Sequence, residues 1–127
     1  MAASSSRTSR YPIGAFTALL AARPFPARLW ESATSERLHL RIGNAAPALT
    51  KADALLALRD FLEGTETFNC AFCEFWARKE VIYVETELVA CGSRTPNLVI
   101  PCVIVARTTH GVLDDLRFYV DRSRPEE

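Results

Sequence analysis

The segment from Glu80 to Asp121, EVIYVETELVACGSRTPNLVIPCVIVARTTHGVLDDLRFYVD, decides the fold. Its three apolar runs, at residues 80–91, 97–109 and 112–121, are rich in Val, Ile, Phe and Tyr, which favours β-strands. Short connections with turn residues separate the runs, so consecutive strands are predicted to pair antiparallel. A similar run at residues 66–77 comes before them and extends the predicted meander to four strands.

Helices are predicted upstream of this meander. The clearest is TKADALLALRDFLEG at residues 50–64, where Thr50 and Asp53 form a capping pattern and Gly64 is a C-terminal stop. Shorter helices are predicted after residue 11 and at residues 27–33, and ERLHLRIGN at residues 36–44 alternates like a half-buried strand. Helices first and then a meander, with no βαβ alternation, predict an α+β fold in which N-terminal helices cover a curved antiparallel sheet.

Length and charge limit the classes of protein to which the chain can belong. Its 127 residues suit one domain, predicted at residues 12–127 after a flexible tail at residues 1–11. Fifteen basic and fifteen acidic residues cancel, which argues against a nucleic-acid or membrane partner. Residues 1–30 are rich in Arg and Ser and contain no acid, so a targeting segment remains an alternative to the cytoplasmic location predicted here.

Four cysteines lie at positions 70, 73, 91 and 102, within apolar stretches. Such surroundings are typical of buried, reduced thiols in a cytosolic protein. Cys70 and Cys73 are spaced like metal ligands, but an odd spacing on a strand sends their side chains to opposite faces. We therefore expect neither a metal nor another cofactor.

Four motifs in this order resemble one superfamily. They are LHLRIGNAAP at residues 38–47, VIYVETELVACG at 81–92, LVIPCVIVAR at 98–107 and HGVLDDLRFYVDRSRP at 110–125. Together they are similar to the SnoaL-like proteins, relatives of nuclear transport factor 2, ketosteroid isomerase, polyketide cyclases and limonene-epoxide hydrolase. The resemblance implies a cone-shaped, cystatin-like α+β barrel around an apolar cavity, and a homodimer.

The resemblance also implies candidate catalytic residues. Glu85 and Glu87 fall where the epoxide hydrolases place a cavity-facing Arg and Asp, and Asn44 falls near a cavity Asn of those enzymes. The second acid of the hydrolases is replaced by Phe118 and a cavity Tyr by Ile42, so their mechanism does not carry over. Two glutamates at i and i+2 share a strand face with Cβ atoms ~7 Å apart, and partial burial would raise the pKa of at least one.

Two functions follow as hypotheses. The first is a cofactor-independent enzyme that performs acid–base chemistry on a hydrophobic metabolite, as an isomerase, cyclase, dehydratase or hydrolase. Glu85 and Glu87 would transfer protons and Asn44 would orient a carbonyl or water. The predicted pocket wall consists of Ile42, Trp76, Tyr83, Val89, Leu116 and Phe118.

The second hypothesis is a non-catalytic module that binds a ligand or assembles as a dimer with the same fold. In that case the face of Glu85 and Glu87 would be the solvated or dimer-facing side of the sheet. The residues opposite Phe118 on the last strand, Arg117, Tyr119 and Asp121, are predicted to form a structural ion pair or a dimer contact.

Overall fold

The computed structural model describes residues 13–63, 65–90 and 98–121, with the backbone only at residues 13, 65–73, 89–90 and 98. Its helices are α1 (Ile13–Ala21), α2 (Ala27–Ala33) and α3 (Lys51–Glu63). Its strands are β1 (Thr34–Ile42), β2 (Thr65–Arg78), β3 (Val81–Ala90), β4 (Leu98–Thr109) and β5 (Val112–Val120). The predicted tail at residues 1–11 lies outside the described residues.

The five strands form one sheet in the order β1-β5-β4-β3-β2. The predicted antiparallel meander from β2 to β5 is confirmed, and its bounds agree with the apolar runs to within one residue. The expectation of a wholly antiparallel sheet is wrong, because β1 pairs parallel with β5. The chain leaves β1 at one edge and reaches β2 at the other through α3, so β1 is not part of the meander.

Helix α3 connects the two edges of the sheet. Thr50 caps it as predicted, since the backbone N–H of Asp53 donates to Thr50 Oγ1 at 3.1 Å. Its apolar face buries Ala54, Leu58 and Leu62. The helix contacts both β1 and β2, which are four strands apart, and the sheet must therefore curve around it.

The two faces of the sheet differ in burial. On β3, Ile82, Val84, Thr86 and Leu88 point toward the helices and are buried. We call this side the interior face, and the side of the alternating residues the outer face. The interior face packs against α1 and α2, whose largest buried side chains are Phe16, Leu20 and Trp30.

The helices are short. None in the described part of the chain is long and apolar enough to span a membrane.

Candidate functional site

Three of the predicted pocket residues belong to the interior face. Leu116 and Phe118 are buried, and Ile42 is partly buried and packs against the same core. The ring of Phe118, 1% exposed, meets Phe61 of α3 edge-on at 5.3 Å between centroids. This aromatic contact fills the space between the helix and the sheet at that point.

Polar chemistry is sparse on the interior side. Among the described side chains, the buried polar ones are Thr34, Thr86 and Thr108. Cys102 is also buried, and desolvation raises the pKa of its thiol to about 12, so it stays protonated near neutral pH. This part of the chain therefore offers no carboxylate or imidazole in the interior for general acid–base catalysis.

One interior donor has no acceptor. The indole Nε1 of the fully buried Trp30 makes no hydrogen bond within the described structure. Trp30 stacks parallel to Phe25 at 6.0 Å, which fixes its ring. A buried N–H without an acceptor is costly, and this group is the clearest interior position for an acceptor atom of a ligand.

The two predicted catalytic glutamates share a strand face, but it is the outer face. Glu85 is exposed and Glu87 is half-buried, whereas their neighbours Val84, Thr86 and Leu88 are buried. The placement of Glu85 and Glu87 in a cavity is therefore not supported. A shift of one residue along a strand moves a side chain to the opposite face, and the resemblance alone does not fix the register to that accuracy.

The remaining predicted site residues are not brought together. Tyr83 and Trp76 lie on the outer face, where their rings stack at 5.7 Å and 16°. Asn44 is exposed in the loop after β1, and the side chain of Val89 lies outside the described residues. The structure thus divides the predicted site between the two sides of the sheet.

A groove of about 540 Å³ lies where β1 and β5 end and β4 begins. It is open to solvent, and the outer-face side chains of Arg41, Val103 and Tyr119 contribute to its wall. Asn44 and Asp121 lie at the same end. Its volume is within the range of small-molecule sites, although charged and polar groups form much of its wall.

Two guanidinium groups flank this groove. Arg41 and Arg117 are register neighbours on the parallel pair β1–β5. Arg117 Nε and Nη2 donate to the two carboxylate oxygens of Asp115 at 3.1 and 3.3 Å, so its observed ion-pair partner is Asp115, a residue outside the predicted set of Arg117, Tyr119 and Asp121. Hydrogen bonding to Asp115, and then to Tyr119, raises the pKa of Arg117. Arg41 has no such partner within the described structure.

Arg41 is the functional candidate that the sequence interpretation missed. The available signal is its position between Leu40 and Ile42, which places it on the outer face. No potential metal ligands cluster in groups of three or more within residues 13–63, 65–90 and 98–121. The side chains of Cys70 and Cys73 lie outside the described residues.

Solved structures resemble the chain closely in architecture and weakly in sequence. A SnoaL-like protein from Jannaschia sp. CCS1 matches with TM-score 0.64 and 12% identity, covering 80% of this chain and 76% of that one. A protein with a ketosteroid isomerase-like fold from Catenulispora acidiphila DSM 44928, solved in complex with trimethylamine, matches with TM-score 0.65 and 13% identity. The match covers 87% of this chain and 85% of that one. An NTF2-like protein from Burkholderia xenovorans LB400 matches with TM-score 0.61 and 20% identity, covering 75% of this chain and 76% of that one.

These identities establish the fold and do not transfer an activity. No protein-family model matches the chain, and no curated protein matches it in sequence. The structural neighbours nevertheless agree with the helices and the curved mixed sheet of this chain, and so with the fold that the resemblance implied. The chain has the α+β fold shared by SnoaL-like, NTF2-like and ketosteroid isomerase-like proteins.

Proposed function

We propose that the chain is a non-catalytic module that assembles as a homodimer through the outer face of its sheet. The observation that carries the proposal is an apolar band on that face. Trp76, Val103 and Tyr119 are 49%, 38% and 55% exposed, although large apolar side chains are normally buried. Tyr83 and Val105 lie between them in register. Contiguous exposed apolar surface of this kind indicates an interface.

The size of the outer face is sufficient for a stable dimer. Five strands about 4.8 Å apart, each about 30 Å long, have a flat projected area of roughly 700 Å², without the additional surface of their side chains. A standard interface buries about 800 Å² per partner. The flat area of the face is therefore comparable to that of a standard interface, and it is compatible with a second copy of the same chain as the occupant.

Charge supports a second copy as the occupant. Glu74 and Glu85 are directly opposite each other on β2 and β3, and these like charges repel within one copy. Arg41 lies at the other side of the same face, on β1, and forms no ion pair with a described residue, whereas the charge of Arg117 beside it is balanced by Asp115. A two-fold dimer can place the acidic side of each copy near the partner's Arg41.

Sedimentation velocity with the variant Val103→Arg tests the proposal. Val103 lies on the central strand β4, so a buried guanidinium there would raise the dimer dissociation constant at least ~100-fold. Leu56→Arg is the matched control, because Leu56 is exposed on α3, away from the outer face. We expect a dimer for the wild type and for Leu56→Arg, and a folded monomer for Val103→Arg. A monomeric wild type at about 100 µM, or a dimeric Val103→Arg, would contradict the proposal.

A small-molecule enzyme with an interior site is the second candidate. The unpaired Nε1 of Trp30 favours it, because a hydrophobic ligand with an acceptor oxygen would satisfy this donor. Acid–base chemistry would also require an interior carboxylate or imidazole, which the described interior side chains do not supply. For this reason we rank it below the dimeric module. The cytoplasmic location stays a prediction based on cysteine usage.

A further inference from the structure

We infer that the two-fold axis of the dimer runs along β4, so that the stacked pair Trp76–Tyr83 of each copy occupies the partner's groove. The inference rests on the proposed homodimer and specifies how its two copies are oriented. In this arrangement the indole ring of Trp76 lies over the partner's Arg41, and the phenol ring of Tyr83 lies over the partner's Arg117.

The strand register carries the first step. Trp76 on β2 pairs with Tyr83 on β3, and Tyr83 pairs with Val105 on β4. Val105 pairs with Arg117 on β5, which pairs with Arg41 on β1. One row across the outer face therefore contains two aromatic rings on one side of β4 and two guanidinium groups on the other.

Symmetry carries the second step. Rotation by 180° about an axis along β4, in the plane of the interface, exchanges the β2–β3 side with the β5–β1 side and keeps each row in place. Each aromatic pair then faces the guanidinium pair of the partner, and Val103 and Val105 face their own copies along the axis. Sheets that pack with their strands roughly aligned allow this orientation.

An axis perpendicular to the strands fits less well. When this axis passes midway between the row of Trp76 and the row of Glu74, each strand faces its own copy, and Glu85 and Glu74 lie over the partner's Tyr83 and Trp76. Arg117 then lies over the partner's Tyr119. The negative faces of aromatic rings repel carboxylates and attract guanidinium groups.

The axis along β4 also places one carboxylate, Glu85, over the partner's Tyr119, because these residues share the row of Val103. It makes two guanidinium–ring contacts and one carboxylate–ring contact per copy, whereas the perpendicular axis makes one guanidinium–ring contact and two carboxylate–ring contacts. The axis along β4 is therefore the more favourable of the two.

The local geometry provides both halves of the contact. The stacked rings of Trp76 and Tyr83, with Trp76 49% exposed, form a rigid projection. The groove lies against the two arginines, with Val103 on its other side. Asp115 holds Arg117 in place, while Arg41 has no hydrogen bond or ion pair to another described residue, so it is available to stack on a ring from the partner.

Two complementary variants test this register. Arg41→Glu alone places a carboxylate over the partner's indole, and Trp76→Lys alone places an amine beside the partner's Arg41. Each homodimer should therefore dissociate more easily, by at least about tenfold in Kd. When the two variants are mixed, one contact of the heterodimer is an opposite-charge pair and the other is the native pair, so heterodimers should predominate over both homodimers. Native mass spectrometry of the mixture counts the three species directly.

The control mixture combines Trp76→Lys with Arg28→Glu, which makes the same charge reversal on an exposed residue of α2. No preference beyond statistical mixing is expected there. An equal excess of heterodimer in both mixtures, or no excess in either, would overturn the register. The proposed function would still stand in that case if the wild type is a dimer and Val103→Arg dissociates it. A monomeric wild type would instead remove the proposed function together with the register. Both substituted residues are exposed, so the folded state should tolerate the changes.

Discussion

The same strands form both faces of the sheet, but the side chains on the two faces differ in burial and polarity. On β5, Phe118 points inward against Phe61 and is 1% exposed, whereas the next residue, Tyr119, points outward and is 55% exposed. The interior face holds aliphatic and aromatic side chains with few polar atoms, and the outer face combines exposed aromatic rings with charged groups. The contrast teaches that the apolar pattern accounts for the packed core, whereas the exposed aromatic side chains of the outer face need the separate explanation that the proposed dimer provides.

The largest expected effect comes from truncating one residue on each face of β5. Phe118→Ala should lower the free energy of unfolding by about 3–5 kcal/mol, because it leaves a cavity between α3 and the sheet. Tyr119→Ala should lower it by less than about 1 kcal/mol in the monomer, since Tyr119 is half exposed. Urea unfolding at a concentration below the dimer dissociation constant measures both. Equal losses would show that the faces do not differ as described.

An intermediate effect is expected from alkaline pH. Burial raises the pKa of Cys102 in the folded state from 9.0 to about 12. The folded protein therefore keeps a proton that the unfolded chain releases above pH 9, and this contribution to stability is complete below pH 9 and is lost as the pH rises toward 12. By pH 10 the loss should reach roughly 1 kcal/mol.

Comparison of wild type with Cys102→Ala isolates this titration. Urea midpoints between pH 8 and 10.5 should converge as the pH rises, because the variant lacks the group. If the difference between the two urea midpoints stays constant as the pH rises, the thiol is not desolvated in the folded state. The interior face would then be more accessible to solvent than the structure indicates.

The smallest effect is expected for the two glutamates. Glu85→Gln and Glu87→Gln, singly or together, should change the free energy of unfolding of the monomer by no more than about 0.5 kcal/mol, because both side chains reach solvent. Urea unfolding of the monomer measures this change. A gain in stability of several kcal/mol would indicate that a buried, repelling carboxylate pair had been neutralised, and would restore the acid–base site predicted at sequence level.

Periodicity and turn chemistry by themselves determined the secondary structure and the fold class. Alternation located the strands, and Thr50 predicted the cap of α3 because both depend on interactions within a few residues. The motif order indicated the superfamily fold. Burial of Phe118 and Leu116 followed from the same apolar pattern.

Only the tertiary structure decided which face of the sheet the helices cover. The alternation of β3 separates Glu85 and Glu87 from the more apolar set that holds Val84 and Leu88, and by itself it favours the apolar set pointing inward. The resemblance indicated the opposite, and the packing of the helices against one side settles the choice. The parallel pairing of β1 with β5 is likewise a long-range event, and it is what brings Arg41 beside Arg117. Contacts between residues more than 70 positions apart leave no local signal, so the groove and the divided site emerge only when the chain is folded.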